Sequence, residues 1–466
     1  MSVNKNGTYL NIPSELMDFV KQDTYSLLIK GYAGAGKTTL ALTILRILGI
    51  KENFQYISTR ISPGKLFEYY PWLGKFFGNI EKYQLPDSEE NSTETPTFVD
   101  ARLDEPSSMF ERITHQLMDT GSQMIIIDSW DAVGYFMDKD ALMNNARVLQ
   151  TWRERAKAKM IFISENPTDT TFDVLVDGIV ELRQIHHDNR LIREIVFSKL
   201  HGVRIDRPSY VYTLNDSVFR SFKPYNPSEF TIHTSPKDKQ THQKKVSLFD
   251  GHFIKTGNVD LDISTGGGFP LKGIVNINLD PHVNSKMVLA FLGEIISNLI
   301  SEGAFVLCKH SQGTDTNYMT NYLNQSLGKA QVDQNILFML NVTKNNKTAK
   351  KTVKNPSLIE AATKIKNKNP GKLLIALVFS EALNGFAEDS IKEFSKLKSA
   401  SDLTIIVNTN SQEIHDFMSK HSDISIRFLK INGTLFMQSE IPWSQLYAVT
   451  VDQSSGYPRI RLESIV

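Results

Sequence analysis

Gly31-Tyr32-Ala33-Gly34-Ala35-Gly36-Lys37-Thr38 spells G-x-x-x-x-G-K-T. An apolar run from Tyr25 to Ile29 precedes it, and the helix-like run Thr38-Thr39-Leu40-Ala41-Leu42-Thr43-Ile44-Leu45 follows it. Strand, glycine-rich turn and helix, in that order, is the setting in which successive backbone N–H groups cradle phosphate oxygens. The positive end of the helix dipole adds to that nest. The expected contacts to a bound ATP come from Gly31, Ala33, Gly34, Ala35, Gly36, Lys37, Thr38 and Thr39. Among these, Lys37 is expected to neutralise the β- and γ-phosphates, and the Thr38 hydroxyl to ligate Mg²⁺.

A second signal lies further on. Met124-Ile125-Ile126-Ile127 is a buried-strand pattern ending in Asp128-Ser129. An aspartate at the tip of such a strand can orient Mg²⁺ or its water, so Asp128 joins Thr38 as an expected metal residue. It also precedes Trp130-Asp131-Ala132, where it could cap a helix. Around these two signals the first half alternates strands and helices, the pattern of an α/β domain with a largely parallel sheet. Gly178 to Leu182 and Leu191 to Phe197 read as an antiparallel hairpin at the sheet's end, turning near His186-His187-Asp188-Asn189.

The second half repeats the first. Ile29 to Leu40 can be laid over Ile277 to Leu289, with Lys37 on Lys286, and Lys159 to Ser164 has its counterpart in Leu403 to Asn408. Leu383-Asn384-Gly385-Phe386 takes the place of Ala132 to Phe136. The copies differ where chemistry is expected. Asp280-Pro281-His282-Val283-Asn284-Ser285-Lys286-Met287 has no glycine, Pro281 removes a backbone donor, and Phe379 stands where the first copy has Asp128. The expected boundaries are a nucleotide-binding domain over 1–224, a basic polar linker over 225–250, and a degenerate second copy over 251–466.

Bulk properties narrow the class. The chain has 466 residues, a net charge of +1 and 41% hydrophobic residues. The charge argues against a polyelectrolyte binder. Cys308 is the only cysteine, which excludes an intrachain disulfide and a cysteine-cluster metal site. No apolar run reaches the roughly 18 residues of a spanning helix, and the start lacks a secretory pattern. The expectation is a cytoplasmic protein with no membrane contact.

With these residues in hand a resemblance becomes visible. The order P-loop, Tyr56-Ile57-Ser58-Thr59, Ile127-Asp128-Ser129, Ile163-Ser164-Glu165, Asp177-Gly178 and Lys199-Leu200-His201-Gly202 resembles RecA-like ATPases of the KaiC/GvpD type. Leu261-Asp262 with Gly266-Gly267-Gly268-Phe269-Pro270 looks like the start of a KaiC domain. The resemblance implies an α/β fold of two tandem RecA-like P-loop domains. Each would be a mostly parallel central sheet flanked by helices, with a terminal antiparallel hairpin. It implies assembly into homo-oligomers with nucleotide between subunits, and a regulatory protein partner; some GvpD-type relatives act in gas-vesicle regulation.

Two departures matter. Family members carry a catalytic glutamate pair after the second strand, where this chain has Arg60-Ile61. Arginine cannot act as a general base near neutral pH. Arg60 either contacts phosphate or is a solvated residue at a helix start. Glu165 is then the candidate to position water, from a strand tip where relatives place a phosphate sensor. The family's K-x-R-G element, which reaches a neighbouring subunit's phosphates, is matched at Lys199 but has His201 in place of its arginine. Lys199 is either such a trans-acting catalytic cation or a lysine on a strand edge.

Between Lys344 and Lys372 many lysines face the single acidic Glu360. Such a patch can bind phosphate backbones. It lacks the interleaved aromatics of a single-strand binder, so a solvated segment is favoured over nucleic acid. The combined reading is an ATP-binding regulatory ATPase with slow or partner-stimulated hydrolysis. The alternatives are a DNA recombination or repair motor and a non-catalytic scaffold stabilised by nucleotide.

Overall fold

The structure, a computed structural model, describes residues 12–78, 97–118, 123–135, 137–232, 251–311, 313–340, 357–380, 396–408 and 418–466. It divides into two compact units, 1–223 with 465–466, and 224–464. Each is built on a nine-stranded sheet.

The first unit's strands are β1 (Tyr25–Gly31), β2 (Phe54–Ser58), β3 (Phe98–Asp100), β4 (Met124–Asp128), β5 (Lys159–Ser164), β6 (Gly178–His187), β7 (Arg190–Leu200), β8 (Ser209–Thr213) and β9 (Arg220–Ser221). Their order across the sheet is β3-β2-β4-β5-β1-β6-β7-β8-β9. Every pairing from β3 to β6 is parallel. From β6 onward they are antiparallel. The central strands are buried along their whole length, because helices cover both faces of a parallel sheet. Alternation divides their side chains between two cores. Met124 and Ile126 face the core that also holds Leu40, Ile44 and Leu45 of the helix Lys37–Leu48. Ile125 and Ile127 face the other core, with Phe162 and Trp130. The β6–β7 hairpin turns at Asp188-Asn189, both with positive φ, as a tight two-residue hairpin demands.

In the second unit β10 (Phe253–Ile254) and β11 (Phe269–Pro270) form a small ribbon. The main strands are β12 (Gly273–Leu279), β13 (Phe305–His310), β14 (Ile336–Leu340), β15 (Leu374–Phe379), β16 (Leu403–Asn408), β17 (Ile424–Ile431), β18 (Thr434–Ile441), β19 (Tyr447–Asp452) and β20 (Arg459–Ser464). Their order is β14-β13-β15-β16-β12-β17-β18-β19-β20, strand for strand the order of the first unit. The change from parallel to antiparallel falls at the same place, between β17 and β18. Smaller details repeat too. Both hairpins carry a register shift after their second residue, at Ile179/Val180 and at Ser425/Ile426. Both sheets pin the central strand with an aspartate just before the next strand. Asp177 accepts from the Ser26 N–H at 2.8 Å and Asp423 from the Ile274 N–H at 2.8 Å.

Tyr225 and Phe230, within the expected linker, pack on the second unit's core. Residues 233–250 of that segment, Phe136, Leu383 to Phe386 and the lysines from Lys344 to Lys354 lie outside the described residues. Lys364, Lys366 and Lys368 occupy the last turns of the helix Leu358–Lys368, where cations favour the dipole. Cys308 is fully buried in β13, and burial pushes its thiol far above the usual range. Among the described residues no helix is long and apolar enough to cross a membrane, and no cluster of His, Cys, Asp and Glu forms a metal site.

Candidate nucleotide-binding site

The loop between β1 and the helix Lys37–Leu48 has the backbone of a phosphate nest. Gly34 and Gly36 have φ of 78° and 91°. Such angles strain any residue with a Cβ. A Cβ on Gly36 would also stand 2.7 Å from the Leu214 side chain, and one on Gly31 would stand 2.6 Å from the Leu182 carbonyl. Because Gly36 is the N-cap, no side chain bonds the first N–H groups of the helix. Those donors are left open at the helix start, an arrangement suited to an anion. Tyr32, Ala33 and Gly34 are exposed, whereas Ala35, Lys37 and Thr39 are buried.

Lys37 folds back on its own loop. Its ammonium donates to the Gly31 carbonyl at 2.7 Å and the Tyr32 carbonyl at 3.0 Å. Burial lowers its pKa; Asp128 pulls it up again and Arg60 lowers it further. An ammonium held by two neutral carbonyls near carboxylates is poised for a stronger anionic partner.

Asp128 and Thr38 meet. The Thr38 hydroxyl donates to Asp128 Oδ2 at 2.6 Å. Tyr56 donates its buried hydroxyl to the same oxygen at 2.5 Å, and burial then Asp128 push the phenol's pKa well up. Thr39 bonds the Tyr70 hydroxyl at 2.9 Å. A hydroxyl and a carboxylate side by side are hard oxygen donors, the set that suits Mg²⁺. The following Asp128–Ser129 peptide is cis. Thr59 brackets this turn, its N–H donating to the Asp128 carbonyl at 2.7 Å and its Oγ1 accepting from the Ser129 N–H at 2.8 Å.

Glu165 and Arg60 also converge here. They form an ion pair, and Glu165 Oε1 lies 4.0 Å from Lys37 Nζ. Asp131 seats the Glu165 strand tip by accepting from its N–H at 2.5 Å and from the Ser164 hydroxyl at 2.9 Å. Burial raises the Asp131 pKa, an effect that the Ser164 bond and Lys37 oppose. Lys199 stands elsewhere. It pairs with Ile179, level with Leu28, while Gly31 pairs with Leu182. Three residues at about 3.3 Å each place it ~10 Å down the sheet from the loop. Its ammonium reaches the Asp173 carbonyl at 3.3 Å.

The second unit's loop is built differently. Tyr25 lies beside Lys159 and Gly273 beside Leu403, each the first residue of its strand, so Gly31 corresponds to Leu279. The following helices start at Lys37 and Ser285, so the two loops have equal length. The expected match of Lys37 with Lys286 is therefore one residue out. Ser285 holds the position of Lys37, and the exposed Lys286 that of Thr38. A shared lysine drew the comparison; the Asn284 cap decides where the helix begins. Asn284 accepts from the Lys286 N–H at 2.8 Å, closing the donor site that Gly36 leaves open. Asp280 pairs with Arg427 at 2.9 Å. Phe379, beside Val407 as Asp128 is beside Ile163, supplies no oxygen.

Comparison with known proteins agrees with this geometry. Residues 16–198 match the family described as GvpD gas vesicle protein, P-loop domain. The first unit is thus similar to the P-loop domain of that family. Similarity extends beyond it. Protein GvpD2 of Halobacterium salinarum is 21% identical over 475 aligned positions, spanning 96% of this chain and 95% of its own length. Protein GvpD1 of the same organism is 25% identical over 300, spanning 62% of this chain and 54% of its own length.

Sequence reasoning missed Tyr56 as the partner of Asp128. Its signal was a phenol inside the buried strand Phe54-Gln55-Tyr56-Ile57-Ser58, since a buried hydroxyl needs a partner. It also missed three donors, two on the distant β6–β7 hairpin and one on the neighbouring β8. Gln184 Nε2 and Arg193 Nη1 each donate to the Gly34 carbonyl at 2.9 Å, and the Tyr212 hydroxyl to the Ala35 carbonyl at 2.5 Å. Arg193 Nε also donates to the carbonyl of Val466, which clusters with this unit.

Proposed function

We propose that this chain is a GvpD-type regulatory ATPase whose first domain, 1–224, binds MgATP and turns it over slowly. The second domain, which takes in Tyr225 and Phe230 as well as 251–464, binds no nucleotide. Gly31, Ala33, Gly34, Ala35, Gly36 and Thr39 hold the phosphates with Lys37, and Thr38 with Asp128 holds Mg²⁺. The ion, when bound, offsets charge on the phosphoryl oxygens. The family matched by residues 16–198 is described as a gas vesicle protein, which makes a regulatory role in gas-vesicle formation, exerted through a protein partner, the favoured setting.

The observation that carries slow turnover is the Arg60–Glu165 pair beside Lys37. A carboxylate committed to a guanidinium is a poor acceptor for a proton from water. A partner, or a neighbouring copy offering Lys199, would speed the reaction by drawing Arg60 away or by adding positive charge. The test is single-turnover ATP hydrolysis by wild type, Arg60→Ala and Glu165→Gln. Wild type is expected to be slow, Arg60→Ala several-fold faster, and Glu165→Gln inactive with ATP still bound. Rapid unstimulated hydrolysis by the wild type contradicts the reading.

A further inference from the structure

The donors on the β6–β7 hairpin and on β8 have no assigned role. A P-loop binds phosphate through N–H groups, and in a trans peptide the carbonyl points opposite to the N–H that follows it. Whatever fixes the loop's carbonyls therefore aims its donors. Lys37 holds the carbonyls of Gly31 and Tyr32 from inside the loop. The Ala35 N–H, at 3.2 Å, closes on the Tyr32 carbonyl. The carbonyls of Gly34 and Ala35 are held from outside, by Gln184 with Arg193 and by Tyr212. With the Ala35 carbonyl turned to Tyr212, the Gly36 N–H faces the other way.

These three residues are one arrangement. Gln184 and Arg193 are directly paired across β6 and β7, and Arg193 is paired with Tyr212 across β7 and β8. The parallel pairing of Gly31 with Leu182 brings the hairpin's far end to the loop. The second unit supplies an internal control. Counting from the shared register shift, Gln184 corresponds to Lys430, which is paired with Leu435. The pairing of Phe436 with Ala448 sets Tyr212 against Val449. Leu435 is buried, Lys430 exposed and Val449 half-buried within the core's edge. The arginine and phenol are lost in the unit that has lost the glycines.

The geometry points to Gln184, Arg193 and Tyr212 as positioning residues, a clamp by which the antiparallel strands β6, β7 and β8 preset the P-loop for the phosphates of a nucleotide. This rests on nucleotide binding by the first domain. Each donor acts through the loop and need not touch the ligand. Without the clamp, binding must first order the loop, which lowers affinity.

The test uses the full chain with Gln184→Leu plus Arg193→Leu, Tyr212→Phe, and Arg193→Lys. Two quantities are read: the Kd for MgATP by calorimetry, and amide exchange without nucleotide over residues 35–41 against β4. Losing hydrogen bonds of about 1 kcal/mol each weakens MgATP binding roughly thirtyfold in the double variant and about fivefold in Tyr212→Phe. Exchange is expected to quicken over 35–41 and stay unchanged in β4. Arg193→Lys, which keeps Gln184 and a cation, is expected to bind within about threefold of wild type. Unchanged Kd and unchanged exchange overturn the clamp, as does faster exchange spread equally over β4. If wild type binds no MgATP, the functional reading fails on its own, and exchange over 35–41 still decides the clamp.

Discussion

Two sheets of the same strand order, in one chain, end in two different loops. Gly31 to Gly36 leaves the next helix uncapped, and its carbonyls are held by Lys37, Gln184, Arg193 and Tyr212. Leu279 to Asn284 is as long, yet Asn284 caps its helix and Arg427 engages its aspartate. The contrast separates what a fold requires from what a site requires. Fold requirements, such as the buried central strands and the aspartates at 177 and 423, survive in both units. Site requirements, namely positive-φ glycines, an open helix end and a carboxylate oxygen at the tip of β4, survive in one.

The sharpest way to break this comparison is to restore one element to the second unit. Phe379→Asp returns the carboxylate that Asp128 provides. Phe379 is buried against apolar side chains, without the hydroxyl partners that Tyr56 and Thr38 give Asp128. Removing the ring and burying an unpaired charge is expected to cost about 3–5 kcal/mol or more, with no gain of nucleotide binding. Denaturant unfolding and MgATP titration check both halves.

Next comes the opposite end of the sheet, where Asp402 occupies the place of Ala158 in the first unit. Burial raises the Asp402 pKa, but Lys366, the Leu374 N–H and Lys272 outweigh it and hold the carboxyl below its ordinary range. A depressed carboxylate contributes stability above its unfolded value near pH 3.9, and that contribution is lost as pH falls through the lower folded value. Asp402→Asn is expected to lower stability at pH 7 by about 1–3 kcal/mol, with the gap to wild type closing below roughly pH 4. A gap that stays constant in acid rules out this ion cluster as its source.

The smallest effects come from the two caps. Gly36→Ala forces a side chain into positive φ and onto Leu214, and is expected to weaken MgATP binding about tenfold. Asn284→Ala is expected to cost the second unit about 1 kcal/mol and leave binding unchanged. Equal binding losses from both would erase the distinction between the loops.

Much of this was legible in the sequence. The P-loop, Asp128 and the duplication follow from local spelling, because a phosphate nest needs glycines at fixed offsets and a buried strand needs an apolar run. The convergence of Arg60 and Glu165 was half-legible, since both sit at strand tips but nothing local pairs them. The true counterpart of Lys37 was hidden, because a lysine in the second loop is a stronger lexical match than the serine the helix start selects. Gln184, Arg193 and Tyr212 were hidden for another reason. Their role depends on the register of an antiparallel hairpin beside a parallel strand, which no local pattern encodes.

The central claim is that one unit of the pair holds nucleotide. Native mass measurement of the full chain with saturating MgATP counts it directly. The account expects one nucleotide per chain, none in Lys37→Ala and one in Lys286→Ala. Two per chain, or one that persists in Lys37→Ala, would contradict it.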